Sequence, residues 1–392
     1  MKKWPIYKAE EFCFKVTDGT HDSPKPQLEG RRLITSKHLK GNYIDFDSAK
    51  LISEADYQKV IARSKVDQWD ILFSMIGTIG NIYLERNPIA EYACKNVGIF
   101  KFNGDKDKAL WMYYWLKSPQ VRDYVYAQLR GSTQAYLPLG GLREMPVAVP
   151  AIETQRKIAA ILSALDDKIE LNRRINENLC ATIDAFYLSL FDSEIEDATI
   201  GDYAQKIYSG GTPNTSNLSF WNGNLGWFSS GETRNRFVIN TEKTITQAGV
   251  DNSSTKLARK YDIVIASAGQ GFTRGQTSML LLDTYVNQSV IVIHTDRRMS
   301  PYLFWSLGKR YNELRAVSDS NSIRGSLTTK MIAAFKIPKG NDKRLEKFSN
   351  YTWPIIAKIE NNLCENNKLI AMRDALLPRL MSGEIDVSDV SL

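Results

Sequence analysis

Apolar residues and asparagines recur along residues 155–191 in steps of four and three: Ile158, Leu162, Leu165, Ile169, Asn172, Asn176, Leu179, Ile183, Phe186 and Leu190. That alternation is the seam of a left-handed coiled coil, a narrower stripe than an ordinary amphipathic helix shows. Arg156, Lys157, Asp166, Asp167, Lys168, Glu170, Arg173, Arg174 and Glu177 lie between the seam positions and are expected to form a solvated, mixed-charge face. Pro150 stands just outside the helix start, and Glu153 puts negative charge near the positive end of the helix dipole. A second seam runs through Ile355, Ile359, Asn362, Asn366, Leu369, Arg373, Leu376 and Leu380. Pro354 is expected to interrupt its early part, leaving a regular coil from about Ile355 to Met381, with Pro378 kinking or ending it.

The two seams are copies. Lys168-Ile169-Glu170 reappears as Lys358-Ile359-Glu360, and Asn172, Asn176 and Leu179 reappear as Asn362, Asn366 and Leu369, at a constant offset of 190. The stretch before each copy matches its counterpart at offsets of 188 to 192. An asparagine in a seam costs stability but fixes register, because it seeks another asparagine across the interface. Paired antiparallel, the helices would let Asn172, Asn176, Asn362 and Asn366 meet near their middle. At ~1.5 Å per residue the first helix spans roughly 55 Å, more than one turn of B-DNA at about 34 Å.

The globular stretches read as mixed α/β. Strand-like runs are Asp70–Ser74, Gly98–Phe102, Asp262–Ala266 and Ser289–His294; helix-like runs are Lys108–Lys117, Pro119–Arg130 and Pro301–Leu314. Trp115 and Trp305 correspond, as do Tyr114 and Phe304, and these aromatics are expected in cores. The predicted fold class is α+β: two mixed α/β domains joined by two long helices that pair as an antiparallel coiled coil, a pseudo-two-fold internal repeat. Boundaries are expected at 1–150 (first head), 151–191 (central helix), 192–338 (second head) and 339–392 (C-terminal helix and tail).

Four loops recur in place in both heads while their residues differ. Asp18-Gly19-Thr20 matches Gly210-Gly211-Thr212, Ser74–Gly77 matches Ala266–Gly269, Asn96 matches Asn287, and Gly131–Gln134 occupies the place of Asp319–Ser322. Short polar side chains with Arg or Lys nearby can bond phosphates and base edges, although ordinary turns use the same residues. The candidate contacts in the first head are Gly19, Thr20, His21, Lys37, Thr78, Lys95, Asn96, Ser132, Thr133 and Gln134. Those in the second are Gly211, Thr212, Ser230, Arg234, Ser267, Gln270, Arg274, Asn287, Gln288, Asn321, Ser322 and Arg324. The Gly-x-Gly in residues 262–271 imitates a cofactor loop, but no helix is expected after it, so a hairpin turn is the expected reading.

Composition narrows the classes. The net charge of +7 suits a polyanionic partner without proving one. Four dispersed cysteines without a CxxC pair suggest reduced thiols, no apolar run reaches membrane-span length, and a cytoplasmic location is expected. No Walker-type phosphate loop, no amino-methyltransferase tetrapeptide and no paired metal-ligand spacing occur; the histidines are His21, His38 and His294. The chain reads as non-catalytic, with no cofactor of its own. A coiled-coil adaptor with two protein- or ligand-binding heads and no DNA role stays open on the residues alone.

Over nearly its whole length the chain resembles the specificity subunits of type I restriction–modification systems. The junction LPLGGLREMPVAVPAIETQRKIAAILSALDDKIELNRRINENL (137–179) carries the resemblance, with Pro150, Glu153, Gln155 and Ile158, as does KIENNLCENNKLIAMRDALLPRLMSGEI (358–385). The second copy departs at KGNDKRLEKF (339–348), which lacks a Glu-x-Gln entry. The resemblance implies two target-recognition domains, each reading half of a split, asymmetric double-stranded DNA site, and a helical spacer that sets the gap. It also implies two modification (methyltransferase) subunits using S-adenosylmethionine, and two restriction subunits (translocase and nuclease) using ATP and Mg. The candidate loop residues would then be DNA contacts, carried over by position, and the four seam asparagines would hold the spacer register.

Overall fold

The computed structural model describes residues 4–191, 197–269, 271–319 and 325–390. The chain divides into two units, Met1–Lys168 with Lys368–Leu392, and Ile169–Asn367. Each unit combines a head with a stretch of both long helices, Ile152–Phe191 and Asp342–Met381. The fold is α+β, and the helices pack antiparallel in each unit.

In the first unit a four-stranded sheet runs in the order Lys15–Asp18, Val97–Lys101, Ile71–Ser74, Ile82–Leu84, with antiparallel neighbours. A three-stranded sheet sets Arg31–Thr35 between Lys50–Ile52 and, in parallel, Tyr92–Lys95. Continuous apolar runs such as Ile71-Leu72-Phe73 suit strands covered on both faces. Helix Lys106–Leu116 buries Trp111, Tyr114 and Trp115, and Ile158 and Leu162 of the central helix join Leu377 and Leu380 of the C-terminal helix in the same core. A short ladder of Ile6–Lys8 with Pro146–Ala148 closes the head beside the helix entry.

The second unit repeats this plan. Its main sheet runs Lys206–Ser209, Val290–His294, Ile263–Ala266, Thr277–Leu280, with Phe237–Val238 added at the edge. Trp221–Phe228 lies between Lys243–Ile245 and, in parallel, Thr284–Val286, which also pairs with Lys256–Ala258. The closing ladder is Ala198–Thr199 with Lys336–Ile337. Even strained backbone is shared: Trp69 (φ 71°) and Tyr261 (φ 75°), 192 apart, both take a left-handed conformation that bulky residues rarely adopt. Each sits inside a turn closed by an aspartate, with Asp67 N–H donating to Asp70 and Arg259 N–H to Asp262, both at 2.8 Å.

Three expectations change. The C-terminal helix runs unbroken from Asp342 to Met381 through Pro354. Proline removes the N–H that would bond Asn350 O, but both residues are exposed, so water can solvate that carbonyl. Phe348, Thr352, Ile356 and Ile359 meanwhile bury the opposite face. Asp166 is not solvated but 8% exposed, because the central helix meets the head as well as its partner helix. The run Pro301–Leu314 is two helices, Ser300–Gly308 and Tyr311–Asp319. As expected, strand Ile263–Ala266 returns as antiparallel Thr277–Leu280, a hairpin rather than a strand-to-helix turn.

Candidate nucleic-acid interface

In the first head the candidate loops gather where several strands end. Asn96 N–H donates to Thr20 O (3.1 Å), and Ser36 Oγ donates to Asn96 O (3.0 Å) while accepting from Met75 N–H (3.2 Å). Leu137 N–H then bonds Met75 O (2.9 Å), and Ile76 bridges Tyr136. One chain of bonds thus links the loops at 19–23, 36–38, 75–81 and 131–137. Glycine is required at position 19 because a Cβ there would lie 2.3 Å from Cys94 O.

His21 is the best-supported candidate. Its Nδ1 meets Asn96 Oδ1 at 2.8 Å, and its Nε2 meets Asp18 at 3.0 Å. Asp18 is buried and also pairs with Arg63 at 2.8 Å, so the ring is fixed from below while staying exposed. Lys95 Nζ donates to Ser23 Oγ. Lys37, Thr78, Ser132, Thr133 and Gln134 are exposed on the gathered loops. His38, by contrast, is buried and accepts from Thr35 N–H (2.8 Å); burial holds its pKa below the usual histidine value.

The second head assembles the equivalent loops by similar bonds. Gly211 N–H donates to Val286 O (3.0 Å), Asn287 N–H to Phe228 O (3.1 Å), Ser267 N–H to Ser289 O (2.9 Å) and Leu327 N–H to Ser267 O (2.9 Å). Thr212 Oγ1 donates to Gln288, whose side chain is exposed, and Arg234 is exposed and paired with Glu242. Ser230 is half-buried, while the Ser267 and Asn287 side chains are buried. Arg274, also buried, donates to Gly325 O (2.7 Å) and pairs with Asp319, so it braces the loop rather than facing outward. Gln270, Asn321, Ser322 and Arg324 lie outside the described residues.

The seam asparagines bond across the helix pair within the second unit. Asn172 Nδ2 donates to Asn366 Oδ1 (2.9 Å) and to Glu365 (2.7 Å), and Asn362 Nδ2 donates to Asn176 Oδ1 (2.7 Å). Asn366 Nδ2 reaches Ile169 O at 3.2 Å.

Two charge clusters that sequence reasoning missed, one buried and one partly exposed, hold heads to helices. In the first unit Asp166 meets Arg373 (2.8 Å), Lys117 (3.3 Å) and Tyr114 OH (3.1 Å). In the second, Asp184 accepts from Trp305 Nε1 (2.8 Å), Arg236 (3.0 Å) and Lys309 (3.1 Å). Burial alone would raise both carboxyls, but the facing cations outweigh it and hold them below the ordinary carboxylate value. Arg236 also stacks over Trp305 at 5.0 Å, which removes it from the recognition loops. Among the described residues no acidic, cysteine and histidine cluster is arranged to hold a metal, and no helix is long and apolar enough to cross a membrane.

Residues 26–181 match the family model of the type I restriction modification DNA specificity domain. The chain is 24% identical to the type I restriction enzyme MjaIX specificity subunit of Methanocaldococcus jannaschii, over 82% of this chain and 78% of that one. It is 22% identical to the HindI specificity subunit of Haemophilus influenzae, over 83% and 88%. The solved type I restriction–modification S subunit from M. genitalium has the same fold, with a TM-score of 0.59 and 16% identity, covering 96% of both chains. Over most of its length the chain is similar to type I specificity subunits, and residues 26–181 carry the specificity-domain pattern. Specificity subunits are the non-catalytic members of type I restriction–modification systems and set DNA target recognition. That role suits heads whose candidate sites are polar loops clasped by backbone hydrogen bonds.

Proposed function

We propose that this chain acts as a specificity subunit, each head reading one half of a split, asymmetric double-stranded DNA site. The paired helices set the gap and dock two modification subunits, which bind S-adenosylmethionine, flip an adenine from each half and methylate it. Two restriction subunits, driven by ATP and Mg, complete the complex in the cytoplasm. The observation that carries this reading is the recurrence of one loop constellation at equivalent strand ends of both heads, with different side chains in each. In the first head the contacts are the exposed His21, Lys37, Thr78 and Ser132–Gln134 with the half-buried Lys95 and Asn96; in the second they are the exposed Arg234 and Gln288 with the half-buried Thr212 and Ser230, and Gln270, Asn321, Ser322 and Arg324 are added by position. Gly19 and Gly211 let the loops approach the neighbouring strands, and Ser267, Arg274, Thr20 and Asn287 support them.

The test is a footprint of the chain with its modification partner on the sequence that loses adenine methylation when this chain is deleted. Two protected segments about one helical turn apart are expected, with affinity falling steeply as salt rises because phosphate contacts release counterions. One contiguous footprint, or salt-independent affinity, would contradict the reading and favour an adaptor.

A further inference from the structure

The hairpin between strands Ile263–Ala266 and Thr277–Leu280 carries Phe272, which is 83% exposed. A single exposed apolar side chain is ordinary on a protein surface; this one is distinguished by how firmly its backbone is held. Tyr311 OH donates to Phe272 O (2.8 Å) and Arg315 to Gly271 O (2.6 Å). Gly275 N–H donates to Ala266 O (2.9 Å), and Arg274, on the same loop, is anchored to Gly325 O and Asp319. The ring is therefore presented to solvent from a braced support, with little backbone freedom left to lose on contact.

Its surroundings point to an anionic partner. Phe272 borders a cleft of about 480 Å³ whose lining includes Arg234, Arg236 and Lys309; Asp184 pairs with Arg236 and Lys309, and Glu242 with Arg234, so the three cations outnumber their carboxylates by one. The hairpin leaves the sheet at the strand end that also carries Asn287 and Gln288, through Ser267 N–H and Ser289 O. The corresponding hairpin of the first head, 75–81, has Gly80 at the matching position and no aromatic residue.

We infer that Phe272 is a wedge that inserts between two base pairs of the half-site read by the second head, with Arg234 and Lys309 beside it facing the phosphates. Apolar wedges of this kind partly unstack a base step and kink the duplex. The inference rests on the DNA-reading function proposed above and adds a distortion confined to one half of the site.

The test uses the full chain assembled with its modification subunit. With p-benzoylphenylalanine installed at position 272, irradiation on the target duplex is expected to crosslink the protein to DNA within the half-site of the second head. Phe272→Ala is expected to weaken binding by about ten-fold, and Phe272→Trp to restore most of it. Equal thermal unfolding midpoints for both variants would assign the loss to the contact. A crosslink to the modification subunit in place of DNA, or Phe272→Ala binding as tightly as the unaltered chain, overturns the wedge. If the unaltered complex binds no split target, the parent reading falls as well; if it binds while position 272 leaves DNA unlabelled, the wedge alone is lost.

Discussion

Asp166 shows how one side chain can tie three elements together inside a single unit. Its carboxylate faces Arg373 on the C-terminal helix and Lys117 and Tyr114 beside the head, at 8% side-chain exposure. Removing one member of a buried ionic cluster leaves the others desolvated and unpaired, so Asp166→Asn is expected to destabilise the protein by about 3 kcal/mol at pH 7. The carboxyl is held below its ordinary value, so its contribution is fully present above the unfolded carboxylate pKa of about 4 and is lost as pH falls through the lowered folded value. Denaturant melts of the two proteins should therefore converge in acid. A difference that persists unchanged to the lowest pH at which the protein stays folded would mean the aspartate acts by packing rather than charge.

The long helices mark the boundary of what periodicity reveals. The four-three spacing identified the seam and the asparagine layers, because Asn172, Asn176, Asn362 and Asn366 lie on the face that meets the other helix. It could not reveal that a neighbouring face meets a head, which is why Asp166 reads as solvated and why the buried Tyr187 and Phe191 lie off the seam. Loop positions were legible from the duplication, whereas the inward turn of Arg274 depends on Asp319 and Gly325, 45 and 51 residues away. Pro354 was read by its local rule and was overridden by packing on both sides. The same rule gives an outcome to measure: Pro354→Ala restores one helical hydrogen bond and relieves the ring clash at an exposed site. A gain of about 1–3 kcal/mol is expected, seen as a higher denaturant midpoint with unchanged slope. No gain would mean that the helix pairing needs the bend proline imposes.

If the paired helices are the ruler between half-sites, their length has a consequence that can be worked out in base pairs. Deleting seven residues from one helix alone would break the asparagine pairing, so the deletion must be made in both, at positions facing each other. Seven residues remove about 10 Å, close to three base pairs at ~3.4 Å each. Seven residues also fall within about 20° of two full helical turns, so each head keeps nearly its original orientation about the helix axis. Three base pairs of B-DNA, however, rotate the second half-site by about 100°, at 10–10.5 base pairs per turn. The shortened protein should therefore move its methylated motif to a gap about three base pairs shorter, with both half-sequences unchanged. It should also bind that motif less tightly than the original protein binds its own, because the duplex must twist to bring both halves onto the heads. Methylation mapping in cells carrying the deleted form reads the gap, and titration on both duplexes reads the affinity. An unchanged gap would show that something other than helix length fixes the distance, and altered half-sequences would show that the heads do not read independently of the helices that carry them.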